Sequence, residues 1–237
     1  MNTPSTPAPD PSAVPHSPAV PMPPAVPMPP AMPRPGRASE ATGAGVVPAA
    51  RPVPAPALQR FGAVSGVLLA LGLGVPGAVE AFTGETAATS IVLGLGAAFG
   101  VPAVTAFHAH QSAASGRFGA LAHAVNLVGL GLFTGVAFAL NLVVYFLHPA
   151  ELPAPTRAAV LAGAAVFIAG TVLFGVSMAR SGVFPRSAAW GYTVCLTLLA
   201  LASSLPDTPW TGLLHVLAAA SLVRLSVAVW PEPRPSA

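Results

Sequence analysis

The sequence predicts an all-α fold, a bundle of six transmembrane helices behind a disordered, proline-rich N-terminal tail. Three observations lead there. Only 7% of the 237 residues are charged and 54% are hydrophobic, with a mean hydropathy of +0.71, whereas a soluble domain carries about 25% charged residues. Six apolar runs of roughly 20 residues, each long enough to cross a hydrocarbon core of about 30 Å as a helix, follow one another from Leu58 to Trp230. Finally, the ten basic residues, all arginine, concentrate in alternate connections between those runs, as the positive-inside rule requires of a multi-pass chain.

Residues 1–57 hold 18 of the 29 prolines and repeat a hexapeptide, AVPMPP at Ala19–Pro24 and again at Ala25–Pro30. Such a segment cannot bury a core, and the expectation is a disordered tail of polyproline-II character. It lacks the basic and apolar regions of a signal peptide. Residues 58–230 form the expected transmembrane domain, and residues 231–237 a polar C-terminal tail.

The first span runs from Leu58 to about Val79. Its Gly62-x-x-x-Gly66 has the small-residue spacing that lets helices approach closely. A short loop with Glu80 and Glu85 is expected next. The second span, Thr86 to about Phe107, carries Gly96-x-x-x-Gly100 and an internal Pro102, which should kink it. His108 to Gly119, reading HAHQSAASGRFG, is expected to be a polar loop.

The third span, Ala120 to His148, contains no charged residue and makes a helix of about 43 Å. It is not uniformly apolar. At 100° per residue, His123, Asn141 and His148 all fall within about 60° of Asn126, with Thr134 close by at about 80°. An unpaired amide or imidazole in hydrocarbon costs several kcal/mol. This stripe should therefore face other helices or a wet cavity.

A loop with Glu151 and further prolines leads to the fourth span, Arg157 to about Ala179, where Ala159, Gly163 and Gly170 make a loose small-residue face interrupted by Val166. Arg180 to Arg186, RSGVFPR, connects it to the fifth span, Ser187 to Leu205. Trp190 and Tyr192 near its start read as membrane-interface aromatics. A four-residue loop with Asp207 precedes the sixth span, Trp210 to Trp230, in which Arg224 is expected to snorkel to the headgroups.

With six spans, Arg34, Arg37, Arg51, Arg60, Arg117, Arg180, Arg186, Arg224 and Arg234 share one side, and only Arg157 lies on the other, with Glu80, Glu85, Glu151 and Asp207. The expectation is a cell (plasma) membrane protein with both termini cytoplasmic.

The stretches FGAVSGVLLALG (Phe61–Gly72), SGRFGALAHAVNLVGLGLF (Ser115–Phe133) and LFGVSMARSGVFPRSAAWGY (Leu173–Tyr192) give residues 58–230 a general character. In that character the chain resembles small bacterial six-helix membrane proteins of unknown function. The resemblance implies a fold type and a membrane location, and no activity. Lysine-free, Ala/Gly/Pro-rich usage fits a high-GC bacterial genome.

Candidate chemistry is sparse. The polar stripe of His123, Asn126, Asn141 and His148 has two readings, interhelical hydrogen bonding and the lining of a substrate or ion path. Paired histidines, with His108, His110 and His123 towards one side and His148 and His215 towards the other, could ligate haem or a metal. Ala63-Val64-Ser65-Gly66 approaches the Gly-x-Ser-Gly of rhomboid proteases, with His215 in the last span, but the first glycine is missing and the serine lies in the wrong span. No phosphate-binding or nucleotide fingerprint is present, and the scattered arginines form no nucleic-acid patch. The single Cys195 forms no intrachain disulfide or multi-Cys metal site. The expectation is a non-enzymatic structural or accessory membrane protein without a cofactor, catalytic residues or a metal site. Its partners would be the lipid bilayer and a second membrane protein or another copy of itself. A small-molecule transporter or channel using the third-helix stripe is the alternative, and a redox or metal protein comes third.

Overall fold

The computed structural model describes residues 56–147, 151–203 and 208–231. The expected tail, residues 1–57, lies outside the described residues but for its last two positions, and so does the C-terminal tail but for its first, Pro231. Every regular element among the described residues is helical: α1 (Pro56–Thr83), α2 (Ala87–Gly96), α3 (Gly100–Ala139), α4 (Tyr145–Leu147), α5 (Ala154–Ser181), α6 (Arg186–Ala202) and α7 (Pro209–Val229). A turn of 3-10 helix, Ala97–Phe99, joins α2 to α3, and a turn of π-helix, Leu140–Val144, joins α3 to α4.

Four helical segments are long and apolar enough to cross a membrane: α1, the joined run Ala87–Leu147, α5 and α7. The joined run spans 61 residues, about three times the roughly 20 that one crossing needs. It reverses at Gly116, whose φ of 56° and ψ of −149° lie in a region essentially reserved for glycine. Residues 87–115 and 117–147 then lie antiparallel. The Thr134 hydroxyl donates to the Ala97 carbonyl at 3.4 Å, Gly100 packs on Leu130, and Gly94 on Leu142.

The polar loop expected over 108–119 is therefore absent. Ala, Ser and Gln carry the helix through Ser115, and only one glycine turns the chain. The polarity of HAHQSAASGR marks where the hairpin meets its end, and all of it but Gly116 is helical. Glu80 is a second correction: α1 continues about two turns past its internal Pro76, to Thr83, and buries Glu80 at 5% exposure. A 3-10 turn, Ala97–Phe99, lies one turn before Pro102, where the N–H that proline lacks would otherwise bond. The fifth span is described as Arg186–Ala202, so Leu205 and Asp207 fall outside the described residues.

Two helix starts are fixed in the same way. Thr86 caps α2 and Thr208 caps α7, each accepting from the backbone N–H of the third residue on, Thr89 or Thr211, whose hydroxyl accepts from the cap's own N–H. Both caps sit at one end of the bundle. The described acids Glu80, Glu85 and Glu151 sit at that end too, and Arg157 with them. Arg60, Arg117, Arg180, Arg186 and Arg224 all lie towards the opposite, Arg-rich end.

Small residues bring the helices together. A Cβ added at Gly129 would lie 2.6 Å from Phe167 Cα, and one at Gly170 would lie 2.6 Å from Asn126 Cα, so α3 and α5 touch backbone to backbone. Gly62 meets Ala106, Gly66 meets Ser226 and Phe107, and Gly72 meets Gly96. The core is Phe107, Phe174, Met178, Leu222 and Leu225, all fully buried. Outside, the surface is apolar: Phe82 is 87% exposed, with Leu121, Leu147, Leu161 and Val227 also exposed. Contiguous apolar surface of this kind suits hydrocarbon and not water.

Candidate functional site

Asn126 is the best-placed polar residue of the predicted stripe. It is fully buried, as is Thr171 of α5, and Tyr192 of α6 is 2% exposed. The Asn126 Nδ2 donates to the Tyr192 hydroxyl at 3.1 Å, and the Thr171 hydroxyl donates to Asn126 Oδ1 at 3.5 Å. One side chain thus joins three helices, and its donor and acceptor are both used. The glycines make this geometry accessible: Gly170 lets α5 approach until Thr171 reaches the amide. Contacts of this type inside a membrane are worth about 0.6–2 kcal/mol each.

A second polar tier lies nearer the Arg-rich end. Gln111 Nε2 donates to the Ser177 hydroxyl at 3.5 Å, and the Ser181 hydroxyl donates to Gln111 Oε1 at 3.3 Å, linking the first arm of the hairpin to α5. Between the tiers, His108 and His123 stack face to face, centroids 4.2 Å apart and planes 8° from parallel, with Phe174 5.8 Å from His123. At the rim, the Arg180 guanidinium lies over the Phe118 ring at 5.6 Å.

The other stripe residues have local partners. Asn141 is half-buried in the π-helical turn and donates to its own helix at Ala137 O, 2.9 Å away. His148 lies outside the described residues. His110 points to Phe184, 5.3 Å away, and so diverges from His108 as its spacing of two requires. At the opposite end, the His215 Nδ1 lies 2.8 Å from Thr211 O, and its ring occupies the space beside Gly77. Ser65 sits beside Gly66, about three helical turns from Gly77, so Ser65 and His215 do not form a catalytic pair. Glu85 accepts from the buried Ser90 hydroxyl at 2.8 Å. Among the described residues no three His, Cys, Asp or Glu side chains converge as metal ligands.

Tyr192, Thr171, Gln111, Ser177 and Ser181 are contributors the sequence reading did not single out as partners. Tyr192 reads there as an interfacial aromatic, and the structure buries it instead. The helical spacing of Thr171, Phe174, Ser177, Met178 and Ser181 along one face of α5 is the signal that could have found three of them.

On the outside, an apolar groove of about 680 Å³ runs between α1 and α7, lined by Leu71, Val75, Phe82, Val216, Val223 and their neighbours. It offers almost no polar group to orient a ligand. Comparison with protein-family models, with curated proteins and with solved structures gives no match. The chain is a multi-helix, membrane-type protein on its own composition and helices.

Proposed function

We propose that this chain is a multi-pass integral membrane protein with a structural or accessory role and no enzymatic activity. In this reading α1, the two arms of the Gly116 hairpin, α5, α6 and α7 each cross the bilayer, and the Arg-rich end faces the cytoplasm with both termini. The five-to-one division of the described arginines, Arg60, Arg117, Arg180, Arg186 and Arg224 against Arg157, supports that orientation. The partners would be the lipid around the apolar exterior and a second membrane protein or another copy of the chain.

The observation that carries the reading is that Asn126 is fully buried and hydrogen-bonded to Tyr192 and Thr171 of neighbouring helices. A path for ions or solutes needs polar groups directed at water. Here the buried amide holds helices together, Thr134 donates to a backbone carbonyl, and beyond Asn126 the stacked rings of Phe133 and Phe167, centroids 4.3 Å apart, fill the interior.

The test replaces Cys195 with Ala, introduces Asn141→Cys, and treats intact cells with a membrane-impermeant thiol reagent. Glu151→Cys serves as the exposed control. The structural reading predicts labelling at 151 and none at 141. Rapid labelling at 141 would mean water reaches the stripe, and the transporter or channel reading would replace this one.

A further inference from the structure

The stacked pair His108 and His123 has properties that helix packing alone does not require. Nδ1 of each ring is buried with no hydrogen-bond partner, and so is the hydroxyl of Ser115 two turns from His108 towards the hairpin tip. A buried polar atom left unpaired is costly, and such atoms in native structures call for an explanation.

The geometry excludes one ligand. A metal ion held by both rings must lie in the plane of each, along both lone pairs. Two planes 8° from parallel, with centroids 4.2 Å apart, have no such shared point near the nitrogens. A proton has no such requirement. It binds one ring, an N–H bond forming as an O–H bond of a hydronium ion breaks and releases water, and the face of the neutral ring lies against the resulting cation.

The partner ring then decides how many protons the pair holds. Arg117 on α3, Arg180 on α5, Arg186 on α6, Arg60 on α1 and Arg224 on α7 lie towards the same end of the bundle and are all solvent-exposed, and His110 points to Phe184. The Tyr192 hydroxyl is held by Asn126. Among the described residues every acid, Glu80, Glu85 and Glu151, is at the opposite end. A second imidazolium would face the first at stacking distance, centroids 4.2 Å apart, with no carboxylate near.

We infer that His108 and His123 form a single-proton site, loaded from the Arg-rich end of the bundle, in which binding the first proton suppresses the second. Gln111, Ser115, Ser177 and Ser181 supply hydrogen-bonding groups between the pair and the hairpin tip. Towards the other end, beyond the Asn126 tier, Leu130, Phe133 and Phe167 are apolar. The site thus has a polar approach from one side only.

The experiment is a pH titration of the full-length protein in lipid nanodiscs with isotope-labelled histidine, followed by NMR. Signals are assigned with His108→Gln and His123→Gln. Wild-type protein should show the pair taking up one proton in total as the pH is lowered through the acid range in which the protein stays folded. In His108→Gln the His123 midpoint should rise by about one pH unit or more, because its neighbour no longer carries the first proton. Two protons or none taken up by the wild-type pair over that range would overturn the proposal, and so would an unchanged His123 midpoint in His108→Gln. The wild-type count decides the matter even where a substitution prevents folding.

Discussion

Replacing Gly170 by alanine perturbs the contact on which the bundle's polar centre depends. The new Cβ would lie 2.6 Å from Asn126 Cα and 2.9 Å from both Asn126 N and Val125 O. Carbon atoms in comfortable contact sit about 3.5–4.0 Å apart, so α5 must retreat from α3 by about 1 Å. Both obstacles are backbone, so no side chain can swing away to relieve the clash. Overpacking of this kind costs about 1–3 kcal/mol. The retreat also stretches the Thr171–Asn126 hydrogen bond, already 3.5 Å long, beyond bonding range, at a further 0.6–2 kcal/mol or about that. The expected loss is about 2–5 kcal/mol. Gly131→Ala is the matched control, because nothing lies within 4 Å of its Cβ position. It should be neutral or stabilising, by up to about 1 kcal/mol, since alanine loses less backbone freedom in a helix. The assay is reversible unfolding in mixed micelles titrated with SDS, followed by tryptophan fluorescence. Equal midpoints for Gly170→Ala and Gly131→Ala would refute the claim that α3 and α5 pack backbone to backbone.

Further outcomes follow from the same contacts. Tyr192→Phe and Asn126→Leu should each destabilise by about 0.6–2 kcal/mol, and a double-mutant cycle should show their effects to be strongly non-additive, because both remove one hydrogen bond. Additive losses would mean the two side chains act separately. Gly116→Ala should cost about 1–3 kcal/mol, since its φ and ψ are essentially closed to other residues. Gly182→Asn should cost less, because Gly182 has the left-handed φ of 68° and ψ of 4° that asparagine tolerates; thermal melts of the two variants would rank them. Thr208→Ala removes the cap of α7 and should cost about 1 kcal/mol in the same melts, and an unchanged midpoint would count against the capping geometry.

Much of this architecture is legible along the chain, because lipid imposes length and apolarity on each crossing directly. Gly62, Gly66, Gly96 and Gly100 read as contact residues and lie at contacts. The stripe through Asn126 reads as inward-facing polarity, and Asn126 is buried, although the spacing does not show whether such a residue meets helices or water. Its partners are 66 and 45 residues away in sequence, and nothing local to Tyr192 or Thr171 marks them as its acceptor and donor. The hairpin misled the reading for a different reason. Polar residues between two apolar runs normally mean a loop, but Ala, Gln and Ser sustain a helix as readily as they form a turn, and the deciding signal was the isolated Gly116 before Arg117. Once the chain reverses there, positions at similar distances before and after it pair across the arms, and His108 meets His123. Glu80, expected in the loop after Val79, lies within α1, which accommodates Pro76 and continues to Thr83.

The central claim is that the run Ala87–Leu147 crosses the membrane twice, with its turn at Gly116 on the side opposite Glu85 and Glu151. Site-directed labelling tests it most directly. In a Cys195→Ala background, Ser112→Cys, exposed one turn before Gly116, is compared with Glu151→Cys using an impermeant thiol reagent on intact and permeabilised cells. The account predicts that position 151 labels in intact cells and position 112 only after permeabilisation. Labelling of both from the same side would contradict it, because the hairpin would not span the bilayer.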